Sequence, residues 1–150
     1  MNTKNLIILV CLIFMGNVLL AQNTYIGAAK CKMCHSGAAK GDQFKKWSDS
    51  KHSKSATATG VSGKAECEKC HAPVADFKTE GVTCEVCHGA GSAYKSAMKP
   101  LTAAQAKGLV VPTEATCKNC HDAGKAPSGH KAIPTFNFAT ASATIAHKKP

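Results

Sequence analysis

The chain contains the pentapeptide Cys84-Glu85-Val86-Cys87-His88, and the same Cys-x-x-Cys-His pattern occurs three more times. The other copies are Cys31-Lys32-Met33-Cys34-His35, Cys67-Glu68-Lys69-Cys70-His71 and Cys117-Lys118-Asn119-Cys120-His121. This spacing is typical of c-type haem attachment, because two thiols three positions apart can form thioethers to the two vinyl groups of one haem. The adjacent His then supplies an imidazole to the iron from the proximal side. The sequence therefore predicts four covalent haem c groups with His35, His71, His88 and His121 as proximal ligands.

Cysteine pairs have other uses in proteins. Two Cys-x-x-Cys pairs can form a Cys₄ zinc site, one pair can be a redox dithiol, and eight cysteines in a small exported protein can form four disulfides. None of these arrangements requires a His after every pair. All eight cysteines after residue 21 lie in the four motifs, each of which ends in His. Haem attachment is therefore the favoured interpretation.

Residues 1–21 have the pattern of a cleaved signal peptide. Lys4 gives a positive start, an apolar run covers residues 6–20, and Ala21 precedes the expected cleavage point. The run is shorter than the about 20 unbroken apolar residues that a membrane-spanning helix needs, and an uncleaved membrane anchor is the alternative. Lipid attachment at Cys11 is disfavoured because the residue before it is not small. We expect export to the periplasm, since haem is attached to such motifs outside the cytoplasmic membrane.

The mature domain, residues 22–150, is short for a protein with four haems. Each haem has about 32 residues, too few to enclose it in a pocket of its own. No alternating apolar pattern indicates a sheet, and helices are predicted at residues 39–52, 102–107 and 139–147. Each motif should also open or close a short helix. The expected fold is mainly α with long irregular loops, a compact domain in which four haems form much of the core.

The basic composition is expected to be largely internal compensation. The formal net charge is +10, including Lys4 of the signal peptide, and eight haem propionates would offset most of it. Every basic residue is Lys, which disfavours bidentate recognition of phosphate, and binding to nucleic acid has little support. Solvated lysines are the default interpretation, and a docking surface for an acidic redox partner is the alternative.

The second axial ligand determines whether a haem iron only passes electrons or also binds small molecules. Outside the motifs the chain has three His residues, His52, His130 and His147, and we predict all three as distal ligands. Met98 is a weaker candidate, because Met more often serves in packing. Four irons and three such His leave at least one iron without a second imidazole from its own chain.

Segments outside the haem motifs resemble the tetrahaem cytochrome c-554 family of exported electron carriers. The matching stretches cover nearly the whole mature chain: Tyr25-Ile26-Gly27, Trp47-Ser48-Asp49-Ser50-Lys51-His52, Gly81-Val82-Thr83-Cys84-Glu85-Val86-Cys87-His88-Gly89-Ala90-Gly91-Ser92, Pro134-Thr135-Phe136-Asn137-Phe138 and Ile145-Ala146-His147. The resemblance implies closely stacked haem pairs, mostly with two His ligands, and one five-coordinate haem. It also implies that His52 caps the third haem and His147 the fourth, with the second haem open.

The chain departs from this family at Tyr94, where the family has a His that ligates the first haem. Tyr94 itself could approach that iron, His130 could replace it, or the first haem could also be open. A neutral Tyr is a weak ligand, because its pKa near 10 would have to fall.

These features predict a periplasmic electron-transfer protein that exchanges electrons with redox-partner proteins, and they favour a carrier over an enzyme without deciding between the two. One alternative is a small haem reductase acting on nitric oxide or a nitrogen oxyanion at an open iron, with Tyr94, Lys95 and Lys99 as candidate proton donors. The other is a subunit of a haem polymer or a membrane-bound redox complex, in which self-association supplies the missing His.

Overall fold

A computed structural model of the chain describes residues 22–58 and 60–145. The predicted signal peptide, its membrane-anchor alternative and the distal candidate His147 lie outside the described residues. Within the described part of the chain, no helix has the length and apolar character needed to cross a membrane.

The described residues form seven α-helices, and no β-strand occurs among them. In chain order the helices are α1 (Ala28–His35), α2 (Gln43–Asp49), α3 (Ala65–His71), α4 (Cys84–His88), α5 (Leu101–Ala106), α6 (Glu114–Lys118) and α7 (Phe138–Ile145). Short 3₁₀ helices lie at Ala38–Lys40, Ser55–Thr57, Ala75–Glu80, Tyr94–Ser96 and Ala123–Lys125. The prediction of a mainly α protein with irregular connections is confirmed for these residues.

Each of the four motifs closes a short helix, as its sequence predicts. The helices α1, α3 and α4 each end at the His of a motif. Helix α6 ends earlier, at Lys118, but the amide of His121 still donates to the carbonyl of Cys117 at 2.9 Å. The two thiols and the imidazole of each motif are therefore placed on one or two consecutive helical turns.

Two of the other predicted helices are close to the observed ones. Helix α5 agrees with the prediction for 102–107 within one residue, and α7 covers the described part of 139–147. The predicted helix 39–52 is shorter in the structure, where α2 begins at Gln43. Gly41 and Asp42 adopt the left-handed backbone conformation, with φ of 83° and 51°, which a right-handed helix cannot contain.

The most deeply buried part of the chain surrounds the third motif. The largest fully buried side chains are those of Glu85 and Thr83, and Val82 and Tyr94 are buried beside them. Helix α1 packs against α2 and α4, and the Trp47 indole nitrogen of α2 donates to the Val82 carbonyl at 2.8 Å. The segment before α4 is therefore held by the helices that carry and follow the first motif.

Candidate haem-binding sites

Thiols from different motifs lie beside one another. The Cys84 thiol of the third motif donates a hydrogen bond to the Cys31 thiol of the first, which lowers the pKa of Cys31 and raises that of Cys84. Burial and a hydrogen bond with Cys70 of the second motif raise the pKa of Cys120, in the fourth motif, to about 12. The first motif is thus adjacent to the third, and the second motif to the fourth.

Further contacts support this arrangement and connect the two pairs. Burial raises the pKa of Cys87 in the third motif, and the nearby Cys117 thiol of the fourth motif raises it further. Burial also lowers the pKa of His35, and the nearby His88 lowers it further. The four motifs therefore follow one another in space in the order first, third, fourth, second.

The second motif lines a cavity of about 380 Å³ that also contains His130. Cys67 and His71 lie on one wall, and the ring centre of His130 is 6.1 Å from that of His71. Lys64 and Lys131 line the same cavity. Its volume is within the range of about 300–1,000 Å³ that is usual for cofactor and ligand sites.

The fourth motif lines another cavity of about 380 Å³, and His52 lies near its histidine. The ring centres of His52 and His121 are 6.0 Å apart, and Phe136 stacks on His121 at 5.1 Å. Burial lowers the pKa of His52, and the nearby His121 lowers it further. Both effects favour the neutral imidazole, which is the form that ligates a metal.

The spacing of these two His pairs fits axial ligation of a haem iron. Two imidazoles that ligate one metal ion from opposite sides have ring centres about 6 Å apart, because each metal–nitrogen bond is about 2.0 Å and each ring centre lies about 1 Å beyond its nitrogen. The Thr83 hydroxyl, next to Cys84, is buried and has no hydrogen-bond partner among the described residues. Buried polar groups are normally paired, so this hydroxyl also fits a bound group that carries acceptors, such as propionates.

The histidine of the third motif is oriented by a loop. His88 Nδ1 lies 3.0 Å from the Val110 carbonyl oxygen, and the Val110 amide donates to the His88 carbonyl at 2.9 Å. A proton on Nδ1 that is shared with this carbonyl places the imidazole lone pair on Nε2. Such a bond is the usual way in which proteins fix the orientation of a metal-ligating His.

The observed His pairs differ from those that the family resemblance implies. The structure places His52 beside His121 of the fourth motif, whereas the resemblance assigns it to the third haem. It places His130 beside His71, whereas the resemblance leaves the second haem open. His130 reaches this position because its loop turns back at Pro127, whose carbonyl accepts the His130 amide at 3.0 Å.

Tyr94 is buried, and its hydroxyl is already hydrogen-bonded to the backbone. Its side chain is 7% exposed, and its hydroxyl donates to the Gly89 carbonyl at 2.8 Å. Burial raises the pKa of Tyr94, which opposes formation of the phenolate that an iron would bind. These contacts favour packing over the ligand or proton-donor role, whereas Lys95 and Lys99 are exposed and Met98 is half-buried.

Glu85 is a functional residue that the sequence analysis missed. Its carboxylate is 1% exposed and accepts the amides of Ile26 at 3.0 Å, Gly27 at 2.8 Å and Gly91 at 2.7 Å. Glu80 accepts the next amide, that of Ala28, at 2.8 Å. Two carboxylates thus bind three consecutive amides at the N-terminus of α1, where negative charge is favourable. Between two cysteines, Glu85 has no sequence signal that distinguishes it from an exposed spacer.

Ser55 is a second such residue. Its hydroxyl lies 2.7 Å from the carbonyl oxygens of both His52 and His71, and it accepts the Val82 amide at 3.1 Å. One side chain therefore links the backbone of a distal candidate, a proximal candidate and the segment that enters the third motif.

The described part of the chain contains no group of three or more His, Cys, Asp or Glu side chains placed to hold a bare metal ion. A haem iron takes at most two protein ligands, so haem binding does not require such a group. Comparisons with protein-family models, curated proteins and solved structures return no match to this chain.

Proposed function

We propose that this chain is a periplasmic electron-transfer protein that carries four covalent haem c groups and exchanges electrons with redox-partner proteins. Each haem would supply an iron that cycles between Fe²⁺ and Fe³⁺ without making or breaking bonds to a substrate. The two cysteines of each motif would hold the haem, and the motif histidine would ligate the iron. The thin apolar core, in which the largest fully buried side chains are Glu85 and Thr83, supports a fold in which haems form much of the interior.

The observation that carries this proposal is the proximity of a second imidazole to a motif histidine at two sites. His130 lies near His71 and His52 near His121, with ring centres 6.1 and 6.0 Å apart. We assign these pairs as the axial ligands of the second and fourth haems. Saturated irons exchange electrons and resist added ligands, which supports a carrier over an enzyme.

The spatial order of the motifs supports electron transfer along the chain. Hydrogen bonds join Cys31 to Cys84 and Cys70 to Cys120, and Cys117 is near enough to Cys87 to raise its pKa, so each motif has the next one in its neighbourhood. An electron that enters at the first motif could reach the second motif through the third and fourth. The first and second motifs are then the two ends of the path.

These assignments change the position expected for an open iron. With His130 assigned to His71 and His52 to His121, only His147 remains for the irons at His35 and His88. One of these two irons then has no second imidazole from its own chain. The proposed open site therefore lies at the first or third motif.

Replacement of the two distal candidates tests the proposal. His130→Ala and His52→Ala should each convert one further haem from low spin to high spin, because the iron loses a strong-field ligand while the thioethers remain. Absorption and electron paramagnetic resonance spectra measure the change, and carbon monoxide should bind one further ferrous iron in each variant. Ser128→Ala and Lys51→Ala, which change neighbouring residues, serve as controls and should leave the spectra unchanged.

The outcomes separate the alternatives. An unchanged spectrum in both His variants would refute the assigned pairs. A high-spin fraction of the unmodified protein that rises on dilution would indicate that a neighbouring chain supplies a ligand, as in a haem polymer. A zinc ion in place of haem in the intact mass would refute the proposal as a whole.

A further inference from the structure

The residues between Cys31 and His35 are exposed on the outer face of helix α1. Ala28 is buried and Cys31 and His35 are half-buried, whereas the intervening residues are exposed. Met33, between the two cysteines, is 75% exposed, and Cys34 is the only exposed cysteine among the eight in the motifs. By contrast, Glu85 is buried and Val86 half-buried at the corresponding positions of the third motif.

The positive charge of the chain is concentrated around this helix. Residues 22–58 contain seven Lys and two acidic residues, whereas residues 60–145 contain nine Lys and seven acidic residues. Lys30, Lys32 and Lys40 are exposed, and the Lys32 ammonium lies 5.3 Å from the ring centre of Phe44 on α2. We call the exposed side chains of Lys30, Met33 and Lys40 the first-motif face.

Ion pairs neutralise some of the lysines near the motifs, including Lys45 with Asp49 on α2 at 2.5 Å. Lys78 pairs with Glu68 of the second motif at 2.6 Å, and Lys118 of the fourth motif pairs with Glu114 at 2.7 Å. The first-motif face combines an exposed thioether side chain with a net positive rim. Transient electron-transfer complexes use small interfaces of this type, in which complementary charge steers the encounter.

We infer that the first-motif face is the docking surface for an acidic one-electron redox protein, and that electrons cross there to or from the haem at His35. This inference rests on the proposed function and names the partner class and the point of transfer. In the direction of entry, the partner would lose one electron, and an iron held by His35 would be reduced from Fe³⁺ to Fe²⁺. No proton or covalent bond is transferred.

Binding to oxidised flavodoxin, an acidic redox protein used here as a probe, tests the surface without electron transfer. The mature protein with its haems is titrated calorimetrically at low ionic strength, with both proteins oxidised. Lys30→Glu/Lys40→Glu should weaken binding about ten-fold or more, because two attractive charges become repulsive. Lys95→Glu/Lys107→Glu changes the net charge equally at exposed positions outside the first-motif face, and should weaken binding less than about three-fold.

Chemical acetylation gives a second readout. Lys30 and Lys40 should be protected in the complex, and Lys95 and Lys107 should react as in the unbound protein. Any of three results would overturn the inference. These are no binding by the unmodified protein, equal weakening of binding in both variants, and protection of the control lysines in the complex. Intact mass and reversible reduction by dithionite on the same samples show whether four redox-active haems are present, so a docking failure is distinguished from a failure of the proposed function.

Discussion

Replacement of Glu85 by Gln is the sharpest test of how the first and third motifs are held together. The carboxylate lies between Cys84 and Cys87 and binds the backbone of the segment that enters α1, through the amides of Ile26 and Gly27. On its other side it binds the amide of Gly91 at 2.7 Å. Gln has nearly the same shape, but its amide nitrogen donates and cannot accept. Whichever way the Gln side chain is oriented, its NH₂ group faces the backbone amide of either Gly27 or Gly91, and two donors then point at each other.

The expected loss follows from these contacts. A hydrogen bond to a charged group contributes about 1.5–3 kcal/mol, and a buried donor without a partner costs about 1–3 kcal/mol. Gln keeps the bonds on one side and loses those on the other, so we expect Glu85→Gln to lower the free energy of unfolding by about 3 kcal/mol. That change corresponds to about a 150-fold shift in the unfolding equilibrium.

Urea unfolding of the haem-loaded protein, followed by far-ultraviolet circular dichroism, measures this loss. With a slope of about 2 kcal/mol/M, the midpoint should fall by about 1.5 M. Hydrogen exchange should also accelerate in peptides covering Ile26 and Gly27. Glu114→Gln, which removes an exposed carboxylate paired with Lys118, is the matched control and should leave the midpoint nearly unchanged. A Glu85→Gln midpoint equal to that of the control would refute the role assigned to the carboxylate.

Three further predictions follow from other contacts. Tyr94→Phe should leave the haem spectra unchanged, because the hydroxyl is bound to the Gly89 carbonyl; a shift in a haem band would restore Tyr94 as a ligand. Gly27→Ala should lower the free energy of unfolding in urea by about 2–4 kcal/mol, because φ is 79° and the new Cβ would lie 2.6 Å from the Phe77 ring. Adding Phe77→Leu to this variant should recover part of the loss. If the two losses are strictly additive, the steric explanation is contradicted. Intact mass of the secreted protein should show four haems, about 2.5 kDa in total, because each motif holds one; fewer would refute the stoichiometry.

The sequence predicted those parts of the molecule that are determined by residues close together in the chain. A Cys-x-x-Cys-His motif requires its groups on adjacent turns of one short segment. Helices α1, α3 and α4 have this form, and the fourth motif continues past the end of α6 through the hydrogen bond from the His121 amide to the Cys117 carbonyl. The mainly α class likewise follows from short periodic segments without alternation. The predicted start of the helix at residue 39 was wrong because Gly41 and Asp42 adopt the left-handed backbone conformation, which ends any right-handed helix before Gln43.

The parts that the sequence could not predict depend on contacts between distant segments. The placement of His130 beside His71 depends on a turn at Pro127, and His52 and His121 are brought together from segments 69 residues apart. Counting His residues predicted that one iron lacks a second imidazole, but the count alone contains no information on which one. Glu85 and Ser55 act through backbone amides and carbonyls, and such partners leave no pattern in side-chain identities.

The two ends of the proposed path differ in charge, so the docking test can distinguish binding at the first motif from binding at the second. Residues 28–49, around the first motif, contain five Lys and two Asp, whereas residues 64–80, around the second, contain three Lys and four acidic residues. An acidic partner is attracted to the first end and gains little at the second, because interactions between exposed charges decay over about 10 Å at moderate salt. Charge reversal at Lys30 and Lys40 therefore removes the attraction at one end of the path and leaves the other end unaltered. If electrons instead exchanged with an acidic partner at the second motif, the same reversal would leave binding intact, and the docking surface would have to be assigned to the second end.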